Sequence, residues 1–425
     1  MAVIKPFRGW RYAPELTKQI SKFISPPFDV VSLKQRMALY QEPYNSIHLS
    51  VPKPEDSVQD TAQLLDQWKA DGILQQDTTA AIYTYYQCFQ LPGLPKFFCR
   101  KGFIAMIEAA FWEENIVLRH EDTIPDSVND RANLLEATQL HASPTHGLYT
   151  DSEHRLEALM DQSMEQPIYE AEDYQGVRDT FGIITDPEVI QQFVDILGNM
   201  PIILADGHHR YEGSLIHRRT QMQNNSNHTG EEGYNYHMMY LTNTESEDLV
   251  ILPTHRLISG LPNISKELIL GRAADYFTIK PIENAPDIRE IIAGKPWAFG
   301  LFIGSECYKI RLKPEVFPML DWDLHSDVKA LETVVLHHFF IEKVLKIPQN
   351  EQSRSPHIHY DRSFASCFAK ADRGEVQIAL ITNGISIEEV KKVCYSGNVM
   401  PQKSTYFYPK AIGGFVFGSI RNDEL

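Results

Sequence analysis

The sequence predicts an α+β protein in which helices cover mixed sheets on one side. Strand-like and helix-like stretches alternate along all 425 residues, without internal repeats or low-complexity tracts. Segments 80–91 (AAIYTYYQCFQL) and 97–111 (FFCRKGFIAMIEAAF) are dense in β-branched and aromatic residues. They flank LPGLPK, a turn signal, and so read as a hairpin. Segment 55–71 instead repeats Val58, Ala62, Leu65 and Trp68 at helical spacing and stops at Gly72.

The remaining elements follow in order. SPPFDVVS at 25–32 reads as a rigid turn entering a strand. After the hairpin come the strand-like ENIVLRHEDT and a helix over 129–142. A helix over 186–198 precedes MPIILA at 200–205, a short buried strand. That strand runs into Asp206-Gly207 and a helix carrying Tyr211, Leu215 and Ile216 on one face. NNSNHTGEEG at 224–233 has almost no apolar residue and reads as a mobile loop. YHMMYLTN and DLVILPTHRL read as strands, as do PWAFGLFI and ECYKIRLK. The stretch 325–345 reads as one helix, 348–356 as a linker, and 375–398 as a strand–helix unit. The expected organisation is an N-terminal α+β region over 1–260 and a smaller C-terminal α/β region over 261–425.

Charge and composition narrow the function classes. With 40 Lys and Arg against 56 Asp and Glu the net charge is −16, which disfavours a non-specific hold on a nucleic-acid backbone. A local basic pocket for a small anion stays open. The apolar runs fall far short of the ~18 residues of a membrane span, and the N-terminus has no apolar h-region, so neither a span nor a signal peptide is expected. The five cysteines are scattered without a CxxC pair, which suggests reduced thiols and a cytoplasmic location.

Three segments carry candidate chemistry. In ADGHHRYE (205–212) a strand feeds a tight Asp206-Gly207 turn that opens a helix. Free backbone N–H groups and the positive helix end then meet Arg210, His208 and His209, a combination suited to phosphate. A helix start with solvent-facing polar residues is an equally open reading. In RHEDT (119–123) Glu121, crowded by Asp122 and beside His120, is a candidate general base, with Arg131 shortly after; a hydrated turn is the bland alternative. In PQKSTYFYPK (401–410) Lys403, Ser404 and Thr405 offer a point charge and two hydroxyls, without the glycines of a P-loop. PTHRL (253–257) places His255 and Arg256 at a strand end, either as part of an anion site or as structural residues. No zinc-type histidine spacing, GxGxxG, GxSxG or kinase HRD/DFG set occurs.

Together KPFRGWRY, PPFDV, HEDT followed by Arg131, ADGHHRYE, PTHRL and MPQKSTYFYPK resemble domain-of-unknown-function family 1015 of bacteria and archaea, over essentially the whole chain. The order His120-Glu121, then Asp206-Gly207-His208-His209-Arg210, then Pro401-Gln402-Lys403-Ser404-Thr405 is also distantly similar to the ParB/sulfiredoxin-like free serine kinases. Gln402 between proline and lysine, an extra N-terminal region and a long insertion depart from that pattern.

The likeness implies a ParB/sulfiredoxin-like core and a kinase transferring phosphate from ATP or ADP to free L-serine or a similar hydroxyl metabolite. Glu121 would be the base. Residues 206–210 with Lys403, Ser404 and Thr405 would hold phosphates, and Asp206 would bind Mg2+. His120, Arg131, His255 and Arg256 would contact substrate. A ParB-like nucleotide-binding regulator and a phosphate-ester hydrolase are the alternatives, and a homodimer is an open partner. Replacing Arg210 is expected to weaken nucleotide binding while relieving repulsion in the empty protein.

Overall fold

The computed structural model describes residues 2–425, and the fold is α+β. The chain divides into two units, each assembled from separated segments. Unit 1 comprises residues 1–119, 123–250 and 409–425, and unit 2 comprises 120–122 and 251–408. This differs from the expected consecutive regions 1–260 and 261–425. The last 17 residues return to unit 1, and the His120–Asp122 segment belongs with unit 2.

Unit 1 is organised on a nine-stranded mixed sheet. Its strands are β1 (Ile4–Lys5), β2 (Ile82–Gln90), β3 (Phe97–Glu108), β4 (Val117–Arg119), β5 (Thr145–Tyr149), β6 (Tyr169–Glu172), β7 (Arg178–Ile184), β8 (Ile202–Asp206) and β9 (Tyr236–Asn243). The order is β4-β8-β5-β9-β3-β2-β7-β6, with β1 on β3. The predicted hairpin is β2–β3, antiparallel, with Cys88 directly opposite Cys99. These two cysteines form a disulfide, so the expectation of five free thiols is corrected; Cys307, Cys367 and Cys394 are free and buried.

Alternation along β3 explains why this sheet has two dry faces. Phe103, Ala105 and Ile107 pack with Phe193, Leu197, Tyr211 and Leu215 of helices α3 and α4, defined below. Ile104 and Met106 face the opposite way, onto Tyr83, Phe181, Phe415 and Phe417. The sheet is therefore covered on both sides rather than one. Four helices belong to unit 1's main cover: α1 (Val58–Ala70), α2 (Pro125–Thr138), α3 (Pro187–Leu197) and α4 (His208–Asn224). Ser57 caps α1 in a reciprocal box with Asp60, and Gly72 follows at φ +71°. Helix α2 begins and ends about four residues before the sequence pattern suggested, because Pro125 suits a first turn and Gln139 turns left-handed. Segment 25–32 leads into a short helix, Leu33–Leu39, instead of a strand.

The 224–233 loop is tied to itself. Glu232 accepts hydrogen bonds from the backbone of Thr229 and Gly230 and from the Thr229 hydroxyl at 2.6–2.9 Å. The C-terminal tail also docks in unit 1, where Glu424 pairs with Lys69 at 2.7 Å and accepts from the Trp10 indole at 3.0 Å.

Unit 2 contains a six-stranded antiparallel sheet: β10 (His255–Ile258), β11 (Phe277–Ile282), β12 (Ala298–Ile303), β13 (Glu306–Leu312), β14 (Ile358–Asp361) and β15 (Ile378–Ile381), in the order β11-β13-β12-β15-β10-β14. Helix α5 (Phe364–Asp372) buries Cys367 and Ala371 against Phe302, Ala379 and Ile381. Helix α6 (Ile387–Tyr395) follows β15 as expected. The predicted helix over 325–345 is broken into Ser326–Lys329, Glu332–Val335 and a π-helical segment, Leu336–Val344. The expected linker at 348–356 contains a helical turn, Gln349–Gln352. Gln352 is buried, donating to the carbonyls of His337 and Ile347. No helix among the described residues is long and apolar enough to cross a membrane.

Candidate functional site

In unit 1 the five residues of β8 are all buried, and the strand ends on Asp206. Gly207 has φ +88°, and a Cβ there would lie 2.6 Å from Thr145 Cγ2 and 2.8 Å from Arg210 Nη2. Both the backbone conformation and the lack of space require glycine. Helix α4 starts at once with His208, and its first N–H groups have no acceptor within the helix. His208 is buried. The Nε2 of His209 accepts the backbone N–H of Ile124 at 3.0 Å, and its ring meets the edge of Phe28.

Arg210 braces the turn. It donates to Ser143 Oγ at 2.9 Å and to the Pro144 carbonyl at 2.7 Å, and its guanidinium lies 3.4 Å from Asp206. The expectation that its removal would relieve repulsion is corrected, because its loss strands two acceptors and half of an ion pair. Asp206 also pairs with Lys410, which is buried. Burial works to raise the Asp206 pKa, but Lys410 and then Arg210 outweigh it and hold the carboxyl well below the usual range. Lys410 is the residue that sequence reading passed over. It stands inside the quoted PQKSTYFYPK segment, yet no spacing rule singles it out from Lys403.

Asp206 does not fit the Mg2+ ligand implied by the resemblance. Two resident cations already occupy its carboxylate, and a metal ion would add a third positive charge in a buried place.

A second group of cations stands beside this turn. The Arg131 side chain is 9% exposed, donates to the Ser50 carbonyl at 2.6 Å, and lies over Phe28 at 4.5 Å. Its pKa is lowered by burial, against the pull of Asp130, and then by the like charges of Arg210 and Arg36. Arg36 donates to the Phe28 carbonyl at 3.2 Å, and the Nε atoms of Arg36 and Arg210 are buried without hydrogen-bond partners. The Phe28 segment thus gathers Arg36, Arg131 and His209. Arg36 had no sequence signal, since its helix is short and exposed.

In unit 2, Glu121 bridges to Met400, whose N–H donates to the His120 carbonyl at 2.8 Å. The Lys403 N–H faces Glu121 Oε1 at 3.4 Å. His120 is buried, with Nε2 2.8 Å from Thr405 Oγ1. Ser404 donates to the Pro401 carbonyl at 2.6 Å, closing a turn in which Lys403 adopts φ +60°. Both hydroxyls expected to face phosphate therefore also hold the loop, while the Lys403 side chain is exposed. The HED and PQKST segments, 282 residues apart between Glu121 and Lys403, meet within this unit.

His255 and Arg256 open β10, at the strand end the sequence suggested, and both are buried there. His255 accepts the Thr382 N–H at 3.3 Å, and burial beside Arg256 pushes its pKa down to about 4. Arg256 is 1% exposed, donates to His337 Nε2 at 3.1 Å and to the Thr254 carbonyl, and lies over Tyr360. Any substrate contact by this pair therefore passes through neighbours. Those neighbours, His337 and Tyr360, line a cavity of about 230 Å³ together with Asp122, Trp322, Met400 and Gln402. The cavity adjoins the Glu121 bridge, and Glu121's charge adds to burial in raising the Tyr360 pKa.

Residues 4–334, well over half of the chain, match the family described as "Protein of unknown function (DUF1015)". The chain belongs to that family. No curated protein matches it. Among solved structures it is similar to a conserved hypothetical protein from Pyrococcus furiosus, at 14% identity and TM-score 0.36, covering 76% of this chain and 97% of that one. A free serine kinase in complex with AMP matches at 14% identity and TM-score 0.36, over 75% of this chain and 88% of that one. C-terminally truncated SbnI from Staphylococcus aureus matches at 10% identity and TM-score 0.35, over 74% and 86%.

Proposed function

We propose that the protein is a phosphotransferase that moves a phosphoryl group from ATP or ADP to the hydroxyl of a small metabolite, L-serine or one like it. The observation that carries the reading is the gathering of Arg36, Arg131 and Arg210 near the start of α4, beside the Gly207 turn that opens that helix. Three guanidiniums that repel one another, with buried Nε atoms unpaired on two of them, gain when an anion arrives. The helix N-terminus adds N–H donors and a positive dipole end, the arrangement that suits phosphate.

The chemistry demanded of the chain is modest, because phosphoryl transfer is mostly positioning and charge stabilisation. Arg131 and Arg36 neutralise phosphate charge, and Arg210 with Lys410 keeps the turn in shape. Glu121 takes the proton of the acceptor hydroxyl, the order of motifs in the sequence supporting that role. Lys403 supplies a mobile point charge. No step is assigned to Mg2+, since Asp206 is committed to Lys410 and Arg210.

The test is incubation of the purified protein with ATP or ADP, divalent cation and a panel of hydroxyl metabolites, beside the Glu121→Gln variant. A phosphorylated metabolite from the native protein alone supports the reading. Nucleotide binding without turnover would favour a non-catalytic regulator, and release of phosphate to water alone a hydrolase.

A further inference from the structure

We infer that Asp321, His338 and Glu342 form a binding site for one first-row divalent cation, zinc or manganese, within unit 2. The three groups lie outside the residues assigned to phosphate transfer, and the inference stands whether or not that reading holds. Their donor atoms, one imidazole nitrogen and two carboxylate oxygens, all fall within 4.8 Å of one another. His338 and Glu342 are four residues apart on the π-helical segment Leu336–Val344, and Asp321 approaches from the preceding loop. Segments of this kind occur often at functional sites.

The anomaly that points to a ligand is His338. Its side chain is 0% exposed, yet neither ring nitrogen makes a well-formed hydrogen bond, although the ring lies near the Met319 carbonyl. A buried imidazole so poorly partnered calls for an explanation, and a bound ion is one. Nδ1 faces Asp321 Oδ1 at 3.7 Å, too long for a hydrogen bond but a fitting separation for two ligands of one metal. The Trp322 indole packs edge-on against His338 and donates to Glu342 Oε2 at 2.8 Å, which leaves Oε1 to turn toward the site.

Lys343 fixes what kind of site this is. Its ammonium lies 2.8 Å from Glu342 Oε1 and 3.8 Å from Asp321 Oδ2, so it neutralises the same two carboxylates. The lysine is a resident stand-in that a divalent ion must displace. Its side chain is 29% exposed and Asp321's is 70% exposed, so one can swing out and the other close in. Zinc or manganese suits a mixed imidazole and carboxylate set, whereas magnesium prefers oxygen alone.

Calorimetric titration of the full-length, metal-stripped protein with zinc chloride and with manganese chloride tests the site. Native protein should bind with a component that Asp321→Asn weakens at least tenfold, the lower bound set by losses at metal-site supporting residues. Asp321 is too exposed for that change to threaten folding. Lys343→Met should do the reverse and tighten binding, because the competing ammonium is gone. Binding should raise the melting temperature of the native protein more than that of Asp321→Asn. No binding by the native protein, unchanged affinity in Asp321→Asn, or weaker binding in Lys343→Met would each overturn the inference.

Discussion

Asp206 is the last residue of β8 and Glu121 lies two residues beyond β4, yet the structure builds around them differently. Asp206 is enclosed with Lys410 and Arg210, under a glycine that no other residue can replace. Glu121 is half-buried, sits in unit 2, bridges to Met400 and meets the Lys403 N–H at 3.4 Å. The first arrangement is a rigid frame whose charges are spent on one another. The second sets its carboxylate, half-buried, beside an exposed lysine. A carboxylate in a charged motif is thus as readily a brace as a reagent, and its partners decide which.

The sharpest way to break this contrast is at Lys410. Lys410→Met leaves Asp206 with half its compensation in a buried place, and unfolding free energy should fall by about 3–5 kcal/mol. Melting curves read this directly, and a loss below 1 kcal/mol would mean that the buried pair is no brace. Glu121→Gln should act in the opposite manner. Turnover with the phosphoryl acceptor should drop about 100-fold, or 2.7 kcal/mol in activation free energy, while the melting temperature stays within a degree or two. Full retained activity would remove Glu121 from the chemistry.

Arg131→Gln tests the phosphate-binding group without touching the Asp206 frame. Nucleotide affinity should weaken by about 1.5–3 kcal/mol, the worth of a hydrogen bond to a charged group, as measured by titration with ADP. An unchanged affinity would leave the arginine group without its ligand. Arg210→Ala should lower both affinity and apo stability, which separates a brace from a pure ligand contact.

A smaller effect sharpens the frame itself. Asp179 in β7 accepts from Tyr85 and Gln87, and burial pushes its pKa up to about 8. Its stability contribution is fully present below the unfolded value near 4 and is lost as pH rises toward 8. Asp179→Asn removes that loss, so the variant should gain on the native protein steadily between pH 5 and pH 8. The histidines run the other way. Burial lowers His141 to about 4 in unit 1 and His337 to about 3 in unit 2. Both are neutral when folded, so acidification from pH 6.5 toward 4 should destabilise each unit. Thermal melts across that range check the two signs.

Local pattern made much of the architecture legible. The β2–β3 hairpin, the spacing and Gly72 stop of α1, β8 and the turn into α4 each follow from spacing and turn chemistry within a dozen or so residues. The same logic failed where distant chain enters. Residues 325–345 read as one amphipathic helix, but they break into three pieces, one of them π-helical, and Gln352 of the supposed linker is buried on His337.

In each candidate segment, sequence alone determined which residue types stand together, Asp-Gly-His-His-Arg before a helix in unit 1 and Lys-Ser-Thr in unit 2. The tight turn at Asp206-Gly207 was legible because turn chemistry is a local matter, whereas the contact with Thr145 that also requires glycine was not. Tertiary structure decided what each charge does. It paired Asp206 with Lys410 across 204 residues of sequence, placed Arg36 and Phe28 by Arg131, and buried His255 and Arg256 inside a sheet. Backbone conformation and helix capping act over a few residues, so a sequence displays them. Whether a charge is solvated, paired or left waiting depends on the low-dielectric surroundings that only the folded chain creates.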